Sequence, residues 1–115
     1  MKMLKIYHNA RCSKSRQTLE LIQQAGQDVE VVDYLKNPPT AEEINRLLQK
    51  LDMKPGQLIR QGEAIFKENY KGRQLTDHEL IAAMVAHPVL IERPIVVKGD
   101  KAVLGRPPEN VQQLL

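Results

Sequence analysis

The most constraining feature of this 115-residue sequence is the succession of strand, helix and strand in its first third. Residues 4–7 have the apolar character of a strand and run into a polar His8-Asn9 pair. An amphipathic helix is predicted over residues 13–25, and β-branched residues predict a second strand over 29–34. Pro38-Pro39 then ends regular structure. The first third is therefore a βαβ unit. The predicted inward face of its helix consists of Leu19, Ile22 and Ala25.

The middle of the sequence, about residues 40–88, is a helical block. Two capping-box patterns, Thr40 with Glu43 and Thr76 with Glu79, each predict the start of a helix. A short helical piece is predicted after Pro55, and Pro88 marks the end of the last helix in this block. The apolar positions predicted to face inward are Ile44, Leu47, Leu48 and Leu51 in the first helix and Leu80, Ile81, Met84 and Val85 in the last.

The last part of the sequence returns to strands. Residues 95–97 and 102–104 predict two strands joined by a turn over 98–101, and Pro107-Pro108 predicts a final helix with Val111, Leu114 and Leu115 inward. The order βαβ, helices, ββα predicts an α/β fold, with a thioredoxin-like mixed sheet and an inserted helical block. We expect one domain over residues 1–115, with the insertion at about 40–88.

Composition narrows the class of protein. With 42% hydrophobic and 27% charged residues, the chain is an ordinary globular protein, and its net charge of +3 is scattered, which argues against nucleic-acid binding. The longest apolar run, residues 80–86, is too short to cross a membrane, and no targeting segment is apparent. A single cysteine cannot form an internal disulfide, so we expect a cytoplasmic protein.

That single cysteine, Cys12, is predicted to lie where the first strand meets the first helix. Backbone amides and the helix dipole stabilise an anion at such a position, and Arg11, Lys14 and Arg16 are close in sequence. The alternative is a small buried apolar side chain, but the basic neighbours favour a reactive thiol. Ser15 stands where a C-x-x-C motif would have its second cysteine. Its hydroxyl could bond the thiolate or simply be a polar group in the first helical turn.

Four motifs together are specific. Residues 7–16 read YHNARCSKSR, residues 34–39 read YLKNPP, His87-Pro88 ends the helical block and residues 93–97 read RPIVV. In order and spacing they closely resemble the glutaredoxin-coupled arsenate reductase family over nearly the whole chain. Ala10, in place of a common proline, and the Gly105-Arg106 segment are more similar to a chromosomal, arsenate reductase-like subgroup.

The resemblance implies an oxidoreductase, an arsenate reductase. In the family the catalytic cysteine, matched by Cys12, attacks arsenate, and glutathione and glutaredoxin then resolve the thiol-arsenate ester and release arsenite. His8 and Ser15 match residues that tune that thiolate. Three arginines match those that bind the oxyanion, and they suit it because a guanidinium offers forked donors to a tetrahedral anion. The implied oxyanion-binding residues are Arg60, Arg93 and Arg106. Pro94 is similar to the cis-proline of thioredoxin-like folds.

The expected partners follow from this resemblance: arsenate or a similar oxyanion, glutathione as co-substrate, and glutaredoxin. We expect a monomer with no bound cofactor, and no metal, because His78, His87 and Cys12 do not supply a ligand set. Two alternatives stay open. One is a transcriptional regulator that binds RNA polymerase under thiol stress. Such a regulator would normally sense the stress through a C-x-x-C pair. The other is a monothiol, glutathione-binding oxidoreductase with another substrate.

Overall fold

The computed structural model describes residues 3–115, which divide into two compact units. One unit contains the chain up to Asn37 together with Arg93–Leu115, and the other contains Pro38–Glu92. The second unit covers nearly the same residues as the helical block predicted from the sequence. That all 115 residues form a single domain stays a prediction.

The first unit is built on a four-stranded mixed sheet. Its strands are β1 (Leu4–His8), β2 (Val29–Asp33), β3 (Ile95–Lys98) and β4 (Lys101–Leu104), in the order β2-β1-β3-β4. β1 pairs in parallel with β2 and antiparallel with β3, and β3 and β4 form a hairpin. The predicted fold class, an α/β fold with a mixed sheet, is confirmed.

The helix α1 (Ser13–Gln24) joins β1 to β2. Its predicted inward face was partly wrong, because its buried side chains are Ser15, Thr18 and Ile22, whereas Ala25 is the exposed C-cap residue. The two hydroxyl-bearing residues are buried because both hydroxyls form hydrogen bonds. An apolar core lies beside them, formed by Leu4, Ile6, Ile22, Val96, Val111 and Leu114.

The chain ends in a 3₁₀ helix, Pro108–Leu114, where a helix of unspecified type was predicted. Side chains three residues apart eclipse one another in a 3₁₀ helix, and Pro108, Val111 and Leu114 are accordingly the buried positions. Leu115 falls one residue past this row and is 37% exposed. The prediction that Leu115 faces inward was wrong for this reason.

The second unit is helical. Its helices are α2 (Ala41–Leu51), α3 (Pro55–Leu58), α4 (Ala64–Asn69) and α5 (Asp77–Ala86), followed by a short 3₁₀ helix, Pro88–Leu90. α5 packs against α2, α3 and the 3₁₀ helix.

Helix α4 was not predicted, and none of its residues is buried. The prediction that Val85 faces inward was also wrong, since it is 36% exposed. In residues 3–115 no helix is both long and apolar enough to span a membrane.

The two predicted capping boxes differ. At the start of α5 both halves form, with the Glu79 amide donating to the Thr76 hydroxyl (3.2 Å) and the Thr76 amide donating to the Glu79 carboxylate (3.0 Å). At the start of α2 the Glu43 amide donates to the Thr40 hydroxyl (3.1 Å). The Glu43 carboxylate, however, accepts from that hydroxyl (3.4 Å) instead of from the Thr40 amide. Only half of the Thr40 box is therefore present.

Candidate active site

Cys12 lies at the predicted junction of the first strand and the first helix, where it is the N-cap residue of α1. Its amide donates to the Asn9 carbonyl (3.0 Å), and its own carbonyl accepts from the Arg16 amide (3.0 Å). These two bonds fix the backbone on both sides of the sulfur. The residue is half-buried and its side chain makes no capping hydrogen bond, while the backbone amides of Lys14 and Ser15 in the first helical turn act on its sulfur.

The surroundings of the sulfur favour its ionised form. Burial acts to raise the pKa of the Cys12 thiol, but the backbone amide of Ser15, the guanidinium of Arg93 and the amide of Lys14 outweigh it. The pKa is therefore lowered from its ordinary value of 9.0. These amides act on the thiolate through their dipoles at the start of the helix. A half-exposed thiol with a lowered pKa has the character of a nucleophile more than of a buried apolar group.

A second cation reaches the sulfur from the segment after β4. Nη1 of Arg106 lies 3.8 Å from Cys12 Sγ and also donates to the Arg93 carbonyl (3.1 Å). The Arg106 carbonyl in turn accepts from the Asn110 side chain (3.2 Å). The peptide bonds Arg93-Pro94 and Arg106-Pro107 are both cis, the first as the resemblance implies. Two of the three predicted arginines thus lie at Cys12.

Ser15 and His8 also lie in this unit. Of the two interpretations of Ser15, the one in which its hydroxyl bonds the thiolate differs from the observed contacts. Its hydroxyl is fully buried, where it contacts His8 Nδ1 (2.6 Å) and accepts from the Asn9 amide (3.0 Å). It is the Ser15 amide, and not the hydroxyl, that acts on the thiolate. Burial lowers the pKa of His8, with Asp33 opposing and Arg16 adding to the effect. A neutral His8 lets Nδ1 accept the hydroxyl proton of Ser15.

Arg60 belongs to the second unit, where two carboxylates hold it. Its Nε lies 3.0 Å from Glu63 Oε1 and its Nη1 lies 2.7 Å from Glu92 Oε1. The segment around Arg60 is joined to the segment around Leu90 by an isolated β-bridge between Ile59 and Ile91 and by a hydrogen bond from the Arg60 amide to the Leu90 carbonyl (2.7 Å). Neither carboxylate was predicted to pair with Arg60. Glu63 is three residues away and Glu92 is thirty-two residues away, so no one sequence spacing relates both of them to Arg60.

Asn9 was also missed as a site residue. It is buried, and besides holding the Cys12 amide through its carbonyl, it accepts the Arg11 amide on its side-chain oxygen (3.0 Å). This is an Asx turn, for which an asparagine between a strand and a helix is the available sequence signal. Among residues 3–115 there is no group of three or more His, Cys, Asp or Glu side chains that could hold a metal ion.

The sheet and the cysteine together define a class, the thioredoxin-like α/β proteins with a nucleophilic thiol at a helix N-terminus. The sequence model of the ArsC family matches residues 7–114. The chain therefore belongs to the ArsC family, which confirms the resemblance to arsenate reductases.

Individual relatives cover almost the full length. The chain is 48% identical to the Escherichia coli K12 protein named "Uncharacterized protein YfgD", over 99% of this chain and 98% of that one. It is 39% identical to an arsenate reductase of Neisseria meningitidis serogroup A over 100% of both chains. The solved structure of an arsenate reductase from Vibrio cholerae is 46% identical and superposes with a TM-score of 0.94, covering 99% of this chain and 98% of that chain.

Proposed function

We propose that this protein is an arsenate reductase that uses Cys12 as its nucleophile and glutathione and glutaredoxin as its reductants. The observation that carries the proposal is the Arg106 guanidinium 3.8 Å from Cys12 Sγ, on a thiol whose pKa is lowered. Two anions, thiolate and arsenate, must approach each other in the first step. Fixed cations and helix amides reduce the repulsion between them and stabilise the charge that develops.

The proposed cycle balances with three thiols. The Cys12 thiolate displaces hydroxide from arsenic, which forms the S–As bond, and the hydroxide takes up a proton to leave as water. Glutathione then attacks the Cys12 sulfur and forms a disulfide, while the electron pair of the S–As bond stays on arsenic, which is reduced from As(V) to As(III). The arsenite takes up protons and leaves. The glutaredoxin thiolate finally removes the glutathionyl group, and the Cys12 thiolate is restored.

The other predicted site residues have distinct roles in this proposal. Arg93 and Arg106 bind the oxyanion beside the sulfur. His8 and Ser15 act on the thiolate indirectly, because their mutual bond and the Asn9–Ser15 bond hold the loop that carries Cys12. We also propose Arg60 as the third oxyanion-binding arginine. Its guanidinium has five N–H donors, and its two carboxylate partners use only part of them. We further propose that the protein acts as a cytoplasmic monomer in one domain and without a bound cofactor.

The test is a coupled assay. Arsenate-dependent oxidation of NADPH is followed with glutathione, glutathione reductase and glutaredoxin present, and Cys12→Ser is the control. We expect turnover that requires arsenate, glutathione and glutaredoxin together and that the Cys12→Ser variant lacks. Turnover equal to that of the variant would refute arsenate reduction. Full turnover with thioredoxin in place of glutathione and glutaredoxin would refute the proposed reductants.

One further observation bears on the alternative of a thiol-stress regulator. Within residues 3–115 the only cysteine is Cys12, and Ser15 occupies the place of a C-x-x-C partner. A sensor that works by closing a local disulfide needs a second sulfur there. Cys12 and Ser15 therefore cannot form the disulfide by which such a regulator would sense thiol stress.

A further inference from the structure

A groove of about 420 Å³ lies in the first unit beside the loop that carries Cys12. Its lining combines two cationic side chains, one carboxylate and a short apolar wall. The lining residues are Asn9, Ala10, Arg11, Asp33, Leu35 and Lys36. None of the roles proposed above for arsenate binding uses Arg11, Leu35 or Lys36.

The topology places this groove at the carboxyl ends of two parallel strands. β1 and β2 pair in register with His8 opposite Asp33, so the chain leaving each strand emerges at the same edge of the sheet. The segments that follow β1 and β2 form the two walls of the groove. Asn9 ties the groove to the nucleophile, because it lines the groove and its carbonyl accepts the Cys12 amide.

Both walls of the groove are held by hydrogen bonds that backbone amides donate to Asn9 and Asp33. On one side, the Arg11 amide donates to the Asn9 side chain (3.0 Å). On the other side, Asp33 closes a turn, since its carboxylate accepts from the Leu35 amide (3.2 Å) and its carbonyl accepts from the Lys36 amide (3.1 Å). The positions of Arg11 and Lys36 along the groove are thus fixed, while their side chains are exposed. In the described part of the chain neither of them takes part in an ion pair.

We propose that this groove binds glutathione, with Arg11 and Lys36 pairing with a carboxylate of the tripeptide so that its thiol is presented to the Cys12 sulfur. The proposal rests on the proposed function, which requires a second thiol at this sulfur. Charge supports it, because the groove has one cation more than it has carboxylates and glutathione has one carboxylate more than it has ammonium groups. The walls formed by Ala10 and Leu35 suit the methylene groups of the peptide.

The binding step can be measured without arsenate. In thiol–disulfide exchange, the Cys12 thiolate attacks one sulfur of oxidised glutathione. The S–S bond breaks, Cys12 becomes a glutathionyl disulfide, and the second glutathione leaves as a thiolate that takes up a proton. The rate constant of this exchange is compared with that for hydroxyethyl disulfide, which carries no charge. The ratio of the two rate constants reports on the groove, while each rate constant alone also reports on the reactivity of Cys12.

The variants are Arg11→Glu and Lys36→Glu, with Lys101→Glu as the matched control. Lys101 has the same change of charge and is exposed. It lies in the hairpin of β3 and β4, at the opposite end of the sheet from Cys12, because β3 runs antiparallel to β1. Folding is checked by circular dichroism. We expect each groove variant to lower the rate ratio by about threefold and the double variant by about tenfold, with the control unchanged.

Two results would overturn the proposal. An unchanged ratio in the double variant would show that the groove does not contact glutathione, and equal slowing with both disulfides would show that the variants act on Cys12 itself. The coupled arsenate assay is separate. A wild-type protein that reduces no arsenate but shows the expected rate ratios would refute the proposed function and support the glutathione site.

Discussion

Gly105 allows the segment that carries Arg106 to lie against α1 and Pro94. A Cβ atom at this position would lie 2.4 Å from Thr18 Oγ1, 2.7 Å from Pro94 Cγ and 3.0 Å from Thr18 Cγ2. The Gly105 amide donates to the Pro94 carbonyl (2.9 Å), so the two segments cannot separate without losing this bond. We therefore expect Gly105→Ala to destabilise the protein and to move the Arg106 guanidinium away from the Cys12 sulfur.

The size of the effect follows from how little the neighbours can yield. Thr18 is fully buried, and its hydroxyl already donates to the Lys14 carbonyl (2.8 Å), while the Pro94 ring is rigid. Overpacking of this kind costs about 1–3 kcal/mol, and with two of three contacts below 3.0 Å we expect about 2–3 kcal/mol. For a chain of 115 residues, 1 kcal/mol corresponds to about 4 °C in Tm, so we expect a fall of about 8–12 °C.

The assay is urea denaturation of four proteins: wild type, Gly105→Ala, Thr18→Ala and the double variant. Thr18→Ala alone removes a buried hydroxyl and costs about 1–2 kcal/mol. Thr18→Ala also removes two of the three atoms that would crowd the new Cβ. The double variant should therefore lose at least about 1 kcal/mol less free energy of unfolding than the two single variants lose in sum.

The matched control is Gly62→Ala, where an added Cβ has no atom within 4 Å. We expect a change of less than about 0.5 kcal/mol for this control, as is usual for surface substitutions. If Gly105→Ala has the same free energy of unfolding as wild type, or if the effects of Gly105→Ala and Thr18→Ala are additive, the close packing of Gly105 against Thr18 and Pro94 is refuted.

Three further predictions concern the site. Arg93→Gln should raise the pKa of Cys12, measured as the pH dependence of its alkylation, and an unchanged profile would contradict the contribution assigned to this guanidinium. Ser15→Ala leaves the Asn9 amide without its acceptor and should cost about 1–3 kcal/mol in urea denaturation, whereas Ser15→Thr, which keeps the hydroxyl, should cost less. Burial lowers the pKa of His8, so the folded chain binds fewer protons there than the unfolded chain does. The free energy of unfolding should then fall as pH falls through about 6.5, relative to His8→Gln, and a constant difference between the two proteins would refute this.

The strands, most helices and the position of Cys12 could be predicted from the sequence because each depends on a local signal. β1 has apolar residues at Leu4, Ile6 and Tyr7, β2 contains three β-branched valines, and the Thr76–Glu79 pair is a complete capping box in the structure. Proline pairs mark where regular structure stops. A thiol between a predicted strand and a predicted helix needs no tertiary information to be assigned to a helix N-terminus.

The remaining features depend on partners that are distant in sequence or on exceptions to apolar patterning. Ser15 and Thr18 are polar, so a pattern of apolar residues assigns them to the surface, yet hydrogen bonds allow both to be buried. Helix α4 has only six residues, and its apolar residues, Ala64, Ile65 and Phe66, are consecutive, so no apolar stripe at helical spacing predicts it. The bond between Arg60 and Glu92 joins residues thirty-two positions apart, for which a single sequence gives no signal.

The contacts of Ser15 explain why a Ser15→Cys substitution, which would create a C-x-x-C motif with Cys12, would disturb the structure around it. Its buried hydroxyl accepts from the Asn9 amide and contacts His8 Nδ1, and Asn9 in turn holds the amides of Arg11 and Cys12. A cysteine at this position would place a larger atom with weak hydrogen-bonding capacity among these groups. The residue at the position of the second cysteine of a C-x-x-C motif thus holds the backbone of the loop that precedes Cys12. In the proposed cycle the second and third thiols consequently come from other molecules, and the groove lined by the same Asn9 is the site that we propose for the second.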